Sequence, residues 1–392
     1  MSALPKEFLR EHQVVSVLEA VCQVLELSET QRALAEERYG AVGTWLSEAE
    51  NPILRQLQIY PHGSTALGTT VKPRGRLEHD VDLVSRVLGL LASFPPAMLK
   101  ALIGARLREH AYYATILEEK QRCWRLNYAN EFHLDITPSI LNPGCSNGGE
   151  LVPDKALRCW KATNPRGYLR EFDRRARLVP QIRFGTAVLE KRADIEPFPA
   201  RTVFKGVLRR LVQLEKRHRD IFFERLEATE QAPISVIVTE LTARAYERCV
   251  TTGIYDTELQ LIVDVVRTMP AFIDGPPRGQ RQWALWNETT WGENFAEKWN
   301  QDEALPRAFF AWHHDFLNLV QHIIDVQGLD QLSKYLGESF GARPVRKAMS
   351  ALTESVSNAR SAGGLFVVPS IGLSTATIGG TAVRGNTFFG AG

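Results

Sequence analysis

A Gly-Ser pair, two aspartates one residue apart, and a third aspartate on an alternating strand occur in that order and constrain this chain more than any other feature. The first two lie in YPHGSTALGTTVKPRGRLEHDVDLV, residues 60–84. Leu57-Gln58-Ile59-Tyr60 reads as a strand, Thr65–Thr69 as a helical turn and Asp80–Val87 as a second strand. Residues i and i+2 of a strand face the same way, so Asp80 and Asp82 present both carboxylates from one face. Further on, Arg122–Tyr128 and Phe132–Ile140 read as a hairpin joined at Ala129-Asn130-Glu131. In its second strand Phe132, Leu134 and Ile136 alternate with His133, Asp135 and Thr137, which puts Asp135 opposite the apolar face.

These residue types point to one chemistry. Glycine lets a backbone approach a phosphate closely, serine adds a hydroxyl donor, and a helix starting there favours negative charge. Gly63 and Ser64 are therefore the candidate triphosphate grip. Asp80 and Asp82 with Asp135 form an oxygen-only donor set for Mg²⁺. Two-metal phosphoryl transfer uses carboxylates that bridge ions about 3.5–4 Å apart. A Gly-Ser turn alone is common, and so is a solvated D-x-D strand edge; the order of the elements carries the reading. His62 fits a turn residue as well as a ligand. His79 and His133 lack zinc-site spacing, and His313-His314 reads as decoration of a helix. Trp283, Trp286, Trp291 and Trp299 read as core rather than as base-stacking platforms.

The chain has 392 residues, 44% hydrophobic and 23% charged, the profile of a globular protein. Its longest apolar stretch, Val87–Leu99, is broken by Pro95-Pro96 and too short to span a membrane. The start, MSALPKEFLREHQ, has no apolar signal core, and the five cysteines (Cys22, Cys123, Cys145, Cys159, Cys249) form no C-x-x-C pair. Both features predict a cytoplasmic protein with reduced thiols and no membrane partner. Net charge is +2, yet residues 155–219 hold eighteen Lys/Arg against six Asp/Glu, a local +12. Such a span suits a polyanionic ligand or is a solvated basic surface.

Residues 6–50 read as helical, with a capping box at Ser28-Glu29-Thr30-Gln31. Met98–Tyr113, 202–226, 234–246, 259–269, 309–326 and 329–336 read as further helices. In 202–226, Val207, Leu208, Leu211 and Leu214 mark an apolar side, with Lys205, Arg209 and Lys216 along another stripe. The expected organisation is an N-terminal helix and catalytic core over 1–145, a mostly helical lobe over 146–360, and a flexible Gly/Ser/Thr-rich tail over 361–392.

Several stretches resemble the bacterial cGAS/DncV-like nucleotidyltransferases, the CD-NTases: HGSTALGT with EHDVDLV, FHLDITPSI, and WKATNPRGYLREF with VQLEKRHRDIFFE and PISVIVTELTARAYE. ENFAEKW, Glu293–Trp299, is similar to a late motif of the same family, so the likeness spans roughly residues 55–300. It implies an α+β fold: a DNA polymerase-β-like nucleotidyltransferase sheet with a helical second lobe, bilobal with a central cleft. It implies synthesis of a cyclic di- or trinucleotide from ATP, alone or with another NTP. The cofactor would be two Mg²⁺ ions, with Mn²⁺ as a substitute. The product would act on a downstream effector as an antiphage signal in a CBASS system. By motif match, Gly63 and Ser64 take the triphosphate, Asp80, Asp82 and Asp135 the metals, and Lys216 and Ser235 the triphosphate contacts of the helical lobe. The glycine-ended tail resembles that of type II CBASS cyclases, in which an E1/E2-like ligase joins the C-terminal glycine, here Gly392, to a target; a tail without a role is the other reading. A template-independent nucleotidyltransferase tagging RNA, a protein or a small molecule would use the same centre, and RNA fits the basic span. A non-catalytic nucleotide-binding module is a third reading, opposed by the intact acid set.

Overall fold

The computed structural model describes residues 6–74, 79–129, 131–154, 156–183, 205–279, 281–361, 366–368, 372–374 and 381–382. The chain forms two compact units. One holds Glu26–Arg175 and Ile273–Asp302; the other holds Met1–Leu25, Ala176–Phe272 and Glu303–Gly392. This division differs from the expected boundary at 145/146. Helix α1 (Lys6–Leu25) belongs to the second unit, and residues 146–175 and 273–302 belong to the first.

The first unit starts at α2 (Glu29–Ser47). Its N-terminus is fixed by the expected capping box: Ser28 accepts from the Gln31 amide, and the Gln31 side chain accepts from the Ser28 amide. Then come β1 (Leu57–Pro61), α3 (Gly63–Leu67), β2 (His79–Val87), α4 (Pro96–Glu109), α5 (Ala111–Ile116), β3 (Leu117–Glu119), β4 (Trp124–Tyr128) and β5 (Phe132–Leu141). The strands β6 (Glu150–Pro153) and β7 (Trp160–Thr163) and helix α6 (Pro165–Ala176), none anticipated, follow. One mixed sheet runs β1-β2-β5-β4-β3, with β6 paired to the end of β5 and β7 to β6. The pair β2–β5 is parallel; β1–β2, β4–β5 and β3–β4 are antiparallel.

Strand alternation builds the core. Val81, Leu83 and Val87 of β2, Leu126 of β4, and Leu134, Ile136 and Ile140 of β5 face one way and are buried. Leu99, Ile103 and Leu107 of α4 and Val42 and Leu46 of α2 cover them. Three hydrogen bonds clasp those helices: Trp45 Nε1 donates to the Arg106 carbonyl at 3.0 Å, and Arg106 Nε and Nη2 donate to the Trp45 carbonyl at 3.1 and 3.0 Å. The Arg106 guanidinium lies 3.7 Å from the Trp45 ring centroid. Trp124 of β4 packs against α4 where Gly104 leaves room, and its Nε1 donates to the Lys100 carbonyl at 2.7 Å.

The segment 273–302 packs on α6 and β7. Asn164, before α6, donates from Nδ2 to the Thr289 carbonyl at 2.9 Å and accepts from the Gly167 amide at 2.8 Å. Thr163 donates to Glu293 at 2.9 Å, and Arg175 pairs with Glu288. Burial raises the pKa of Glu293, against its hydrogen bonds from Asn287 and Thr163. Trp299 is buried and meets Trp283 edge-on at 5.7 Å. Trp286 and Trp291, expected in the core, are instead 49% and 94% exposed.

The second unit contains α1, α7 (Gly206–Arg225), α8 (Ser235–Thr252), α9 (Glu258–Thr268), α10 (Ala304–His322), α11 (Leu329–Phe340) and α12 (Ala342–Ser361). A short parallel pair, β8 (Gln181–Ile182) with β9 (Ile254–Tyr255), accompanies them. The expected amphipathic split of α7 does not hold: Arg210, Gln213, Glu215, Lys216, Arg217 and His218 are buried along with Leu208, Leu211 and Leu214. Helix α7 is central, so its polar side chains need buried partners. Arg210 pairs with Glu19 of α1 at 3.0 Å, Glu215 accepts from Thr242 of α8, and His218 Nδ1 accepts from Trp312 Nε1 at 3.1 Å. That bond puts any His218 proton on Nε2, 3.4 Å from Asp315; burial lowers the imidazole pKa against the pull of Asp315. His313, expected on a helix surface, is buried and bonded through Nε2 to the Val266 carbonyl at 2.7 Å.

Within the tail, described residues pair as a small antiparallel sheet: β10 (Phe366–Val368) with β11 (Gly372–Ser374) and β12 (Thr381–Ala382). Gly392 lies outside the described residues, as do Lys155 and residues 184–204 of the basic span and Asn130 of the hairpin turn. No helix among the described residues is long and apolar enough to cross a membrane.

A methyl group on Gly104 would overlap the Trp124 indole. Gly104→Ala should lower the unfolding free energy by about 1–3 kcal/mol. Urea unfolding checks this, and an unchanged midpoint would contradict the described packing of α4 on β4.

Candidate active site

Pairing of β2 with β5 sets Asp82 beside Asp135 and Asp80 beside His133. On the other side of β5, β4 sets Arg125 beside Asp135. Alternation turns these five side chains away from the apolar core, onto one polar face of the sheet. Asp80 is exposed, and Asp82 and Asp135 are half-buried. The three aspartates singled out in the sequence are thus on neighbouring strands of one face.

The chain leaves β1 through His62, whose amide donates to the Asp82 carbonyl at 2.9 Å. Gly63 follows with φ +59°, and a Cβ there would stand 2.5 Å from Asp82 Oδ2. Only glycine meets both conditions comfortably. Helix α3 starts at Gly63, two residues before the expected turn, and closes at Gly68 with φ +69°. The Thr69 amide donates to the Ser64 carbonyl at 3.0 Å, and the Ser64 and Thr70 hydroxyls are 3.4 Å apart. The glycine-serine bend therefore lies directly against one of the acids.

Arg125 went unnoticed in the sequence. Its Nε and Nη2 donate to the two Asp135 oxygens at 2.6 and 2.7 Å, and Nη2 also lies 3.1 Å from Asp80 Oδ1. His133 Nδ1 is 3.3 Å from Arg125 Nη1 and 3.2 Å from Asp80 Oδ1. One ring nitrogen either accepts from Arg125 or donates to Asp80, so its tautomer selects the partner. The alternation of Trp124, Leu126 and Tyr128 was the available signal: it puts Arg125 on the Asp135 face of a hairpin the sequence already indicated.

Burial raises the pKa of Asp82, as do the charges of Asp135 and Asp80, while His62 and Arg125 pull it down. Burial also holds His62 below the usual imidazole value, and its Nε2 has no hydrogen-bond partner among the described residues. The donor set fits a hard divalent cation: its donors are oxygens only, and its crowded like charges would be offset by a cation. The acids share a face without closing on one point. Among the described residues, no group of three or more His, Cys, Asp or Glu side chains is drawn together closely enough to hold a metal ion.

Further along the same face lies a second network that the sequence did not reveal. Glu150, fully buried, accepts from Tyr60 and Ser139, with Arg86 Nη1 at 3.4 Å. Arg166 lies over the Tyr60 ring at 4.1 Å. Lys216 and Ser235 belong to the helical unit: Lys216 is buried in α7, and Ser235 opens α8 with its hydroxyl 3.0 Å from Arg219 Nη1.

Gly63→Ala would force a left-handed conformation on a residue with a side chain, at about 1–2 kcal/mol, and push on Asp82. The variant should stay folded by circular dichroism but unfold at lower urea than the parent; an unchanged midpoint would refute the close packing of Gly63 on Asp82.

Residues 13–175 match the SMODS family, the Second Messenger Oligonucleotide or Dinucleotide Synthetase domain. The chain is 28% identical over 379 residues to a c-di-GMP synthase of Roseivirga ehrenbergii, covering 96% of this chain and 97% of that protein. It is 27% identical over 407 residues to the cyclic dinucleotide synthase CdnG of Bradyrhizobium diazoefficiens, covering 96% and 94%. The solved structure of the Bradyrhizobium diazoefficiens CD-NTase CdnG in complex with GTP superposes with a TM-score of 0.66 at 24% identity, over 87% of this chain and 99% of that one. Residues 13–175 thus match a second messenger oligonucleotide or dinucleotide synthetase domain, and nearly the whole chain is similar to two cyclic dinucleotide synthases, with the fold of a solved CD-NTase.

Proposed function

We propose that the protein is a cyclic oligonucleotide synthase that joins nucleoside triphosphates into a cyclic dinucleotide, with GTP as one substrate alone or beside ATP. The reading rests on one observation above the rest: Asp82 and Asp135 stand side by side on parallel strands, with Gly63 packed on Asp82. The product named for the Roseivirga relative and the ligand named in the Bradyrhizobium structure favour a guanine nucleotide. A trinucleotide product and an ATP-only substrate are the alternatives that product analysis separates.

In this reading a ribose hydroxyl of one nucleotide attacks the α-phosphorus of another. A P–O bond forms, the bond to the β-phosphate oxygen breaks, and pyrophosphate leaves; a further transfer closes the ring. Bound divalent cations, Mg²⁺ or Mn²⁺, would acidify the attacking hydroxyl and neutralise charge on the leaving pyrophosphate. Asp80, Asp82 and Asp135 would hold them. The Gly63-Ser64 bend would place the triphosphate against those acids, Ser64 through its hydroxyl and the bend through its backbone amides. Lys216 and Ser235 are proposed as triphosphate contacts from the helical unit. The antiphage role, a downstream effector and the attachment of Gly392 to a target by an E1/E2-like ligase are proposed on the family resemblance.

Incubation with labelled GTP and ATP and Mg²⁺ should give pyrophosphate and a phosphatase-resistant cyclic product, identified by mass spectrometry. Asp80→Ala, Asp82→Ala and Asp135→Ala should each reduce product to near background with the fold retained. Full activity in the Asp82 variant would remove the metal assignment. A linear or acceptor-linked product would favour the tagging nucleotidyltransferase. After co-expression with a neighbouring ligase, intact-mass analysis should reveal a Gly392-linked adduct, and a tail found only free would end that part of the proposal.

A further inference from the structure

Arg125 contacts two of the three acids, and the reaction sketched above gives it no task. Its fork spans both oxygens of Asp135 at 2.6 and 2.7 Å, while Nη2 reaches Asp80 at 3.1 Å. It sits on β4, the strand beside β5, at the position directly opposite Asp135. Two neighbouring strands thus fix the arginine and the aspartate relative to each other through backbone pairing. The side chain of Arg125 is 19% exposed and that of Asp135 15%, so the pair is only partly screened by solvent.

We propose that Arg125 is a positioning residue for the cation-holding acids. It rests on the assignment of Asp135 given above. Two effects follow from the geometry. First, a bidentate fork allows a carboxylate one orientation, where a single bond would leave it free to rotate. An ionised carboxylate offers about four lone-pair directions, so the fork leaves others on Asp135 open toward a cation. Second, the guanidinium offsets repulsion among Asp80, Asp82 and Asp135. That charge competes with a divalent cation for the same oxygens, so Arg125 weakens cation binding while improving its placement. His133 supports the arrangement by its approach to both Arg125 and Asp80.

This combination separates the role of Arg125 from that of an ordinary structural salt bridge. Removing a merely structural ion pair would weaken cation binding and activity together. Removing a positioning cation should strengthen the first and damage the second. Outer-layer partners of metal ligands typically alter affinity or activity by about 10–100-fold.

The test uses the full chain as Arg125→Ala and Arg125→Lys, with Asp135→Ala as reference. Mn²⁺ binding is measured by electron paramagnetic resonance without nucleotide, and kcat and KM by pyrophosphate release. For Arg125→Ala we expect Mn²⁺ bound at least about threefold more tightly, kcat lowered at least about tenfold, and the nucleotide KM within about threefold of the parent. Arg125→Lys keeps the charge but loses the fork; it should bind Mn²⁺ like the parent and still lose turnover. Should Arg125→Ala fail to fold, the lysine variant alone decides. Parent-like kcat in either variant, or unchanged or weaker Mn²⁺ binding by folded Arg125→Ala, overturns the proposal. Retained activity in Asp135→Ala would instead overturn the assignment of the acids, a distinguishable failure.

Discussion

The register of β2 against β5 is the constraint on which the site depends. Side-chain direction in a strand repeats every two residues, so a slip of one position would send Asp135 into the core and Ile136 out of it. The hydrophobic gain on the opposite face resists such a slip. Val81, Leu83, Leu134 and Ile136 are buried together under α4. The polar face needs no strong attraction of its own; three carboxylates crowded there would repel each other. The apolar face holds them in place, with Arg125 moderating the cost.

Much of this was legible from residue order. The capping box at Ser28, the two strands bearing the acids, and the hairpin leading to Asp135 are local patterns, fixed by neighbours a few residues away. Gly63 was recognisable as a glycine with a purpose, though its reason, the approach to Asp82 Oδ2, is tertiary. Arg125 could have been read from the same alternation. The Glu150 network could not: its members Tyr60, Arg86 and Ser139 come from three strands far apart in sequence, and each alone looks like a surface residue.

The misreadings share a cause. Charged residues usually mark a wet face, so the residue pattern of α7 predicts an amphipathic helix. In a helix surrounded on all sides, polar side chains are instead accommodated by internal partners: Arg210 pairs with Glu19, and Glu215 and His218 accept from Thr242 of α8 and Trp312 of α10. His313 follows the same rule. Trp286 and Trp291 depart in the other direction: aromatic rings are expected in a core, and the segment 273–302 leaves these two exposed. Pattern alone does not report how many neighbours an element has.

The return of residues 273–302 to the sheet unit has a consequence for how the molecule is assembled. Asn164, Thr163 and Arg175 each find a partner more than a hundred positions downstream, in Thr289, Glu293 and Glu288. A chain emerging from the ribosome therefore makes the entire acid-bearing stretch well before the pieces that complete its far edge exist. Final closure of that unit must wait until the intervening helices have been synthesised, so the sheet cannot finish maturing as an independent N-terminal piece.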